Sequence, residues 1–254
     1  MAVLDITDGY SHCGLSKWRP VEDVDRVMNR FGVPRAVLAQ HLGEFDNTYI
    51  EEIVAARSDR FAGAFVIDTE SDDASHALAH WAGRGVFRGI RILARSLDTN
   101  PGVWDDAVRL GLNIIACDES TLGPYVNSLG NFLADHPDAR MIFSHFGLWT
   151  GFDSATFETY ERILPLAEFP GTFLQVSGFH MFTDYPYDEV IPLVQRAYDA
   201  FGPERLLYGS NYPVMEEDGI YGKEIDLVRS GQFGVPADAV DQVMNRTAFK
   251  LWFK

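Results

Sequence analysis

The sequence predicts an α/β chain closed into a single (β/α)8 barrel, and three observations point there. Eight short runs rich in β-branched and aromatic residues recur at intervals of roughly 25–34 residues, close to the repeat of a strand–helix barrel. The segments between them carry apolar residues at helical spacing. Two-residue hairpin signals are few, so helices join successive strands and the strands lie parallel.

The runs read as strands are residues 3–9 (VLDITDG), 36–41 (AVLAQH), 61–68 (FAGAFVID) and 87–93 (FRGIRIL), then 112–118 (LNIIACD), 140–146 (RMIFSHF), 172–178 (TFLQVSG) and 206–212 (LLYGSNY). After the first, VEDVDRVMNRFG sets Val21, Val24, Val27, Met28 and Phe31 at helical spacing and stops at Gly32. NTYIEEIVAAR and SDDASHALAHWAGRG repeat that grammar, each opening on a residue type that caps helices through its side chain. Eight strands favour a closed barrel over an open sheet. No repeat, low-complexity tract or linker intervenes, so residues 1–254 read as one domain. The loops FHMFTDYPYDE and MEEDGIYGK follow the last two strands, placed either to act as lids or to remain solvated surface.

Twenty-one Lys and Arg against 37 Asp and Glu give a formal charge of −16. Such a surface repels phosphate backbones and anionic lipid, which argues against nucleic-acid and membrane partners. A small anionic substrate stays compatible, because a few arginines can reverse the field inside a pocket. Cys13 and Cys117 have neither disulfide-framework nor zinc-site spacing. No apolar run approaches the ~20 residues of a membrane helix, and MAVLDITDGY lacks the layout of a signal peptide. The expectation is a cytoplasmic protein, and the composition suits a monomer or a homo-oligomer alike.

Barrel chemistry sits at the C-terminal ends of the strands. There the sequence places Tyr10 and His12, Gln40 and His41, Arg88 and Arg91, Cys117–Asp118–Glu119, Ser144–His145, Ser177 with His180 beyond it, and Ser210–Asn211–Tyr212. Four of the seven histidines fall at these ends, a concentration that points to acid–base work. A strand-end histidine also serves as a hydrogen-bonded structural group, and His41 and His180 fit either role. His76 and His80 have the spacing of a helical metal pair, but no glutamate lies between them to act as a base. Cys117 reads as a small buried hydrophobe. Asp68, Asp118 and Glu119 read as bases or as caps of the helices that follow.

Taken in order, these motifs resemble the amidohydrolase superfamily in its amidohydrolase-2 branch. The likeness is to the group of 2-pyrone-4,6-dicarboxylate lactonase and the sugar lactonases. The matching pieces are DGYSH, LAQHLGEFDN, VFRGIRIL, FSHFG, VSGFHMF with YPYDEV, FGPERLLYGSNYP and the closing MNRTAFKLW. The resemblance implies a TIM barrel of hydrolase type. Two positions depart from its pattern. The family's Asp-x-His-x-His reads Asp8-Gly9-Tyr10-Ser11-His12, and its Gly-Ser-Asp-x-Pro reads Gly209-Ser210-Asn211-Tyr212-Pro213. An amide binds divalent cations weakly and cannot act as a base near neutrality. His12, His145 and an amide fall short of the three ligands plus water of catalytic zinc, so no metal or other cofactor is expected.

The resemblance then implies metal-independent ring opening or isomerisation of a small lactone or cyclic carboxylated substrate. His12 and His145 are expected as acid and base, Tyr10 as an oxyanion donor or proton relay, and Asn211 as the group orienting a hydroxyl or carbonyl. Arg91 is expected to hold a substrate carboxylate, with Gln40, His41, Ser177, His180 and Tyr212 as further substrate contacts. Arg88 is read as an ion-pair partner of a neighbouring helix. The alternatives are a decarboxylase or lyase of the same superfamily, or a barrel that binds a small molecule without turning it over.

Overall fold

The computed structural model describes residues 4–148, 154–214 and 218–254. Eight strands form one parallel sheet in sequential order. They are β1 (Thr7–Ser11), β2 (Arg35–Ala39), β3 (Phe61–Phe65), β4 (Gly89–Leu93), β5 (Asn113–Cys117), β6 (Arg140–Phe143), β7 (Thr172–Ser177) and β8 (Leu206–Gly209). The ring closes at its C-terminal rim through two backbone hydrogen bonds: Asn211 N–H donates to Tyr10 O at 2.9 Å, and His12 N–H to Tyr212 O at 2.7 Å. The seam is tight because Gly9 and Gly209 lack a side chain. A Cβ at Gly9 would stand 2.7 Å from the Tyr208 carbonyl oxygen, and one at Gly209 2.7 Å from the Tyr10 Cβ.

All eight predicted strands are present, most of them shorter than expected, while the first is shifted toward its C-terminal end, to Thr7–Ser11. The sixth stops at Phe143 and the eighth at Gly209, because His145, Phe146 and Asn211 adopt left-handed φ of 48°, 61° and 56°. A strand cannot continue through such residues.

The helices are α1 (Val21–Phe31), α2 (Thr48–Ala56), α3 (Ala74–Gly83), α4 (Ser96–Thr99), α5 (Pro101–Arg109), α6 (Val126–Asp135), α7 (Ser154–Ile163), α8 (Ile191–Phe201), α9 (Asp218–Arg229) and α10 (Thr247–Trp252). The first ends as its sequence predicts, with Gly32 left-handed at φ 68°. The expected side-chain caps of α2 and α3 are absent. The buried Asn47 amide instead brackets Val66, donating to its carbonyl at 2.9 Å and accepting from its N–H at 3.0 Å. That ties the start of α2 to the end of β3. Ser71 accepts from Asp73 N–H at 3.1 Å, forming a turn before α3 rather than its cap.

Tyr10, Val37, Ala64, Ile115, Ile142 and Leu207 help fill the barrel, and Leu251 and Trp252 of α10 close its N-terminal end. The FHMFTDYPYDE segment is not simply solvated: Phe179 and Tyr187 are buried, while Tyr185 is exposed. Of MEEDGIYGK, residues 215–217 lie outside the described residues, and from Asp218 the chain is helix α9 rather than loop. Among the described residues no helix is long and apolar enough to cross a membrane.

Candidate active site

One extra residue in β1 creates half of the site. Asp8 pairs with Ala36 but Ser11 with Leu38, so three steps on β1 match two on β2. Such a bulge resets side-chain alternation. Asp8 accepts a hydrogen bond from Tyr221 of α9, outside the barrel, whereas Tyr10 two residues later packs inside it. The Asp8 carboxylate holds the bulge in place, accepting from Tyr10 N–H at 3.2 Å, Ser210 N–H at 2.8 Å and Ser210 Oγ–H at 2.6 Å. Burial pushes its pKa up to about 6 against those hydrogen bonds.

His12 lies beyond the bulge. Its Nδ1 is 2.6 Å from the Ala39 carbonyl oxygen and its Nε2 is 3.2 Å from Oδ1 of Asn211. The Trp18 indole stacks on the imidazole at 5.3 Å and 13°. His145 enters from the turn after β6, where three successive residues, His145, Phe146 and Gly147, have positive φ. Phe146 is buried and packs on Tyr160, Phe179 and Phe182, an anchor that offsets the strain of this turn. The Nδ1 of His145 is 2.8 Å from Ser177 Oγ. A side chain at Gly178 would put its Cβ 2.7 Å from that nitrogen, so glycine there makes room for the imidazole.

Tyr10 presents its ring edge-on to both imidazoles, at 4.9 Å from His12 and 5.0 Å from His145. The Arg91 guanidinium lies over its face at 5.6 Å, and Nη1 of Arg91 donates to Gln40 O at 3.2 Å. The Tyr10 hydroxyl is buried and has no hydrogen-bond partner among the described residues.

Burial first, and the Arg91 charge second, hold both histidines uncharged. The pKa of His12 falls to about 3, and that of His145 lies well below the usual range. Neutrality fixes the tautomer of His12: Nδ1–H donates to Ala39, leaving a lone pair on Nε2. Oδ1 of Asn211 faces Nε2 at 3.2 Å and Nδ2 donates to the Met181 sulfur at 3.2 Å; a neutral His12 with its proton on Nδ1 would require the opposite amide orientation. In either orientation Asn211 stands directly against Nε2 of His12.

His12, Trp18, His41, Arg91, His145 and Asn211 line a cavity of about 430 Å³ at the barrel mouth, with Lys17, Leu42, Glu119, Met181 and Val214. Tyr10 is fully buried and does not line the cavity; its ring packs edge-on against the two imidazoles that do. Four residues expected to touch substrate stand behind the wall instead. Gln40 donates to Asp46 O and accepts from His41 N–H, which holds the β2 loop. Ser177 supports His145. The ring nitrogens of His180 are buried, with Nδ1 3.5 Å from Glu224. The Tyr212 hydroxyl accepts from Arg19, and its ring packs against Tyr221. Arg88 precedes β4 at the opposite end of the barrel and makes no ion pair among the described residues. Of the residues at the wall, Lys17 and Trp18 carry no strand-end signal. Trp18 is aimed inward by a left-handed φ of 72°.

The donors do not fit a catalytic divalent metal. Among the described residues no group of three or more His, Cys, Asp or Glu is arranged to hold one. An aromatic ring stands where a second histidine would reach in from β1, and a neutral amide, Asn211, stands after β8 in place of a carboxylate.

The model of the amidohydrolase-2 family, described as Amidohydrolase, matches residues 5–254. The chain belongs to this family. It is 26% identical over 212 residues to an L-fucono-1,5-lactonase of Burkholderia ambifaria, a match covering 79% of this chain and 72% of that protein. Among solved structures it resembles a probable 2-pyrone-4,6-dicarboxylic acid hydrolase of Acinetobacter baumannii with citric acid bound. That likeness has TM-score 0.74 and 16% identity, covering 98% of this chain and 99% of the other. It also resembles an amidohydrolase of Burkholderia multivorans with bound zinc, with TM-score 0.77 and 15% identity, covering 97% of this chain and 98% of the other. These two likenesses concern the fold.

Proposed function

We propose that this amidohydrolase-2 member opens or isomerises a small lactone or cyclic carboxylated substrate by histidine acid–base catalysis without a metal. The observation that carries the reading is the convergence of His12, His145, Arg91 and Asn211 on one cavity, with both imidazoles uncharged. The relationship to a fuconolactonase supports the lactone as the reacting group.

In this reading His145, oriented by Ser177, is the base, because Asn211 stands directly against Nε2 of His12. His145 takes the proton of a substrate hydroxyl, or of water, as its oxygen adds to the lactone carbonyl. The ring C–O bond of the tetrahedral intermediate then breaks, and the departing oxygen receives that proton back. Attack by a hydroxyl of the same molecule gives an isomeric lactone; attack by water gives the open acid. The Tyr10 hydroxyl, buried and without a hydrogen-bond partner among the described residues, suits donation to the developing oxyanion. Arg91 and Lys17 supply positive charge for a carboxylate, and Trp18 shields His12 from water.

The test is NMR of the purified protein with a panel of five- and six-membered lactones, with and without chelator. Turnover that survives chelation and is lost in His145→Ala, with the variant folded, is the expected result. Turnover abolished by chelator overturns the metal-independent mechanism. Silence across the panel overturns the lactone assignment.

A further inference from the structure

Behind the cavity wall lies a second set of titratable groups that the proposed chemistry does not use. Glu224 projects from α9 and is completely buried, and its carboxylate makes no well-formed hydrogen bond among the described residues, being approached only loosely by His180 and the Tyr187 hydroxyl. The His180 imidazole stands against it, with Nδ1 3.5 Å from Oε1. Both ring nitrogens of His180 are themselves buried without a hydrogen bond among the described residues, as is the Tyr208 hydroxyl of β8. Unpaired buried polar atoms are costly, and so many in one place are retained for a reason.

The position of the cluster suggests that reason. His180 sits on the turn after β7, between Gly178, which packs against His145, and Met181, which lines the cavity and faces the Asn211 amide. It lies close enough to His145 for its charge to be felt there. The same turn therefore touches His145 and Asn211 from one side and a buried carboxyl from the other.

We propose that Glu224 and His180 form a buried acid–imidazole pair that aligns the β7 turn and sets the electrostatic environment of His145. Glu224 is then a positioning residue for the reaction proposed above, and its catalytic consequence rests on that reading. The pair exists in two charge states. With one shared proton it is neutral overall; when that proton leaves to solvent it carries one negative charge beside His145. A negative charge there favours the imidazolium that forms when His145 takes up the substrate proton. The groups facing the pair are Tyr187 from the β7 loop, Tyr208 from β8, Tyr221 from α9 and Asp8 from β1. Burial, chiefly, raises the Glu224 pKa to about 7, which puts the change of state near neutrality.

The experiment is long-range proton–nitrogen NMR of histidine-labelled protein from pH 5.5 to 8.5, with Glu224→Gln as the isosteric variant that cannot ionise. In the wild type the His180 and His145 resonances should shift together with a midpoint near pH 7, and in E224Q that midpoint should vanish. His180 signals that do not move in the wild type, or that move identically in E224Q, overturn the proposal. His180→Asn supplies an independent reading should E224Q fail to fold: an unaltered His145 titration in H180N overturns it as well. None of these outcomes needs a substrate, so a failure of the lactone assignment is distinguishable. With a working lactone, E224Q should lose the inflection near pH 7 in kcat at unchanged KM.

Discussion

Restoring an acid on β8 with Asn211→Asp tests the electrostatics of the whole site. In the native protein the amide faces Nε2 of His12 at 3.2 Å, and burial together with Arg91 keeps His12 uncharged down to about pH 3. A carboxylate at that distance attracts an imidazolium by ~5 kcal/mol at an effective dielectric constant of ~20. At ~1.4 kcal/mol per pKa unit this is worth ~4 units, which carries His12 from about 3 to near 7. The introduced carboxylate is equally buried, so the two groups share one proton and titrate as a pair. Histidine-labelled N211D at pH 6 should therefore show His12 protonated at both ring nitrogens, where the wild type shows only Nδ1 protonated. Activity should fall as well, because the neutral amide that stands against His12 is gone. A folded N211D whose His12 stays neutral at pH 6 would refute the reasoning. It would mean that desolvation at this seam outweighs a direct ion pair.

Two further predictions follow from groups at the same wall. Tyr10→Phe removes a hydroxyl that makes no hydrogen bond among the described residues, so stability should change by less than ~1 kcal/mol in urea denaturation. The kcat on a turned-over lactone should nonetheless drop at least tenfold, and an unchanged kcat would leave Tyr10 as packing alone. The histidines also predict acid sensitivity. His12 has a folded pKa of about 3 against 6.5 unfolded, so its contribution is fully present above pH 6.5 and is lost as pH falls toward 3. Between pH 6.5 and 5 the wild type should lose about 2 kcal/mol relative to His12→Asn. Asp8 and Glu224 act with the opposite sign in overlapping windows, since their folded values are raised, but they are common to both proteins and cancel in the difference. Parallel stability curves for the two proteins over this range would show that His12 is not held neutral.

The sequence by itself determined the barrel and most of its strand ends. A strand–helix repeat and a two-residue alternation are local properties, encoded in each segment's own residues. They sufficed to bring His12, Arg91, His145 and Asn211 into one neighbourhood, and the Asp-to-Asn change on β8 was legible as a letter in a motif. What the tertiary structure decided is which way each group faces and what stands against it. The β1 bulge sends Asp8 outward and Tyr10 inward, which the alternation of DGYSH alone does not reveal. The His12–Asn211 hydrogen bond spans 199 residues of chain, and its tautomer follows from an Ala39 carbonyl that any residue could supply. Trp18 reaches the cavity through a left-handed backbone with no propensity signal. Gln40, His180 and Tyr212 have side chains suited to binding substrate, yet neighbouring loops and α9 claim them first. Glu224 looks like any surface glutamate of an amphipathic helix until the fold places it against His180. Local spacing fixes the elements; desolvation and partnership, which settle the chemistry, belong to residues that meet only when the barrel closes.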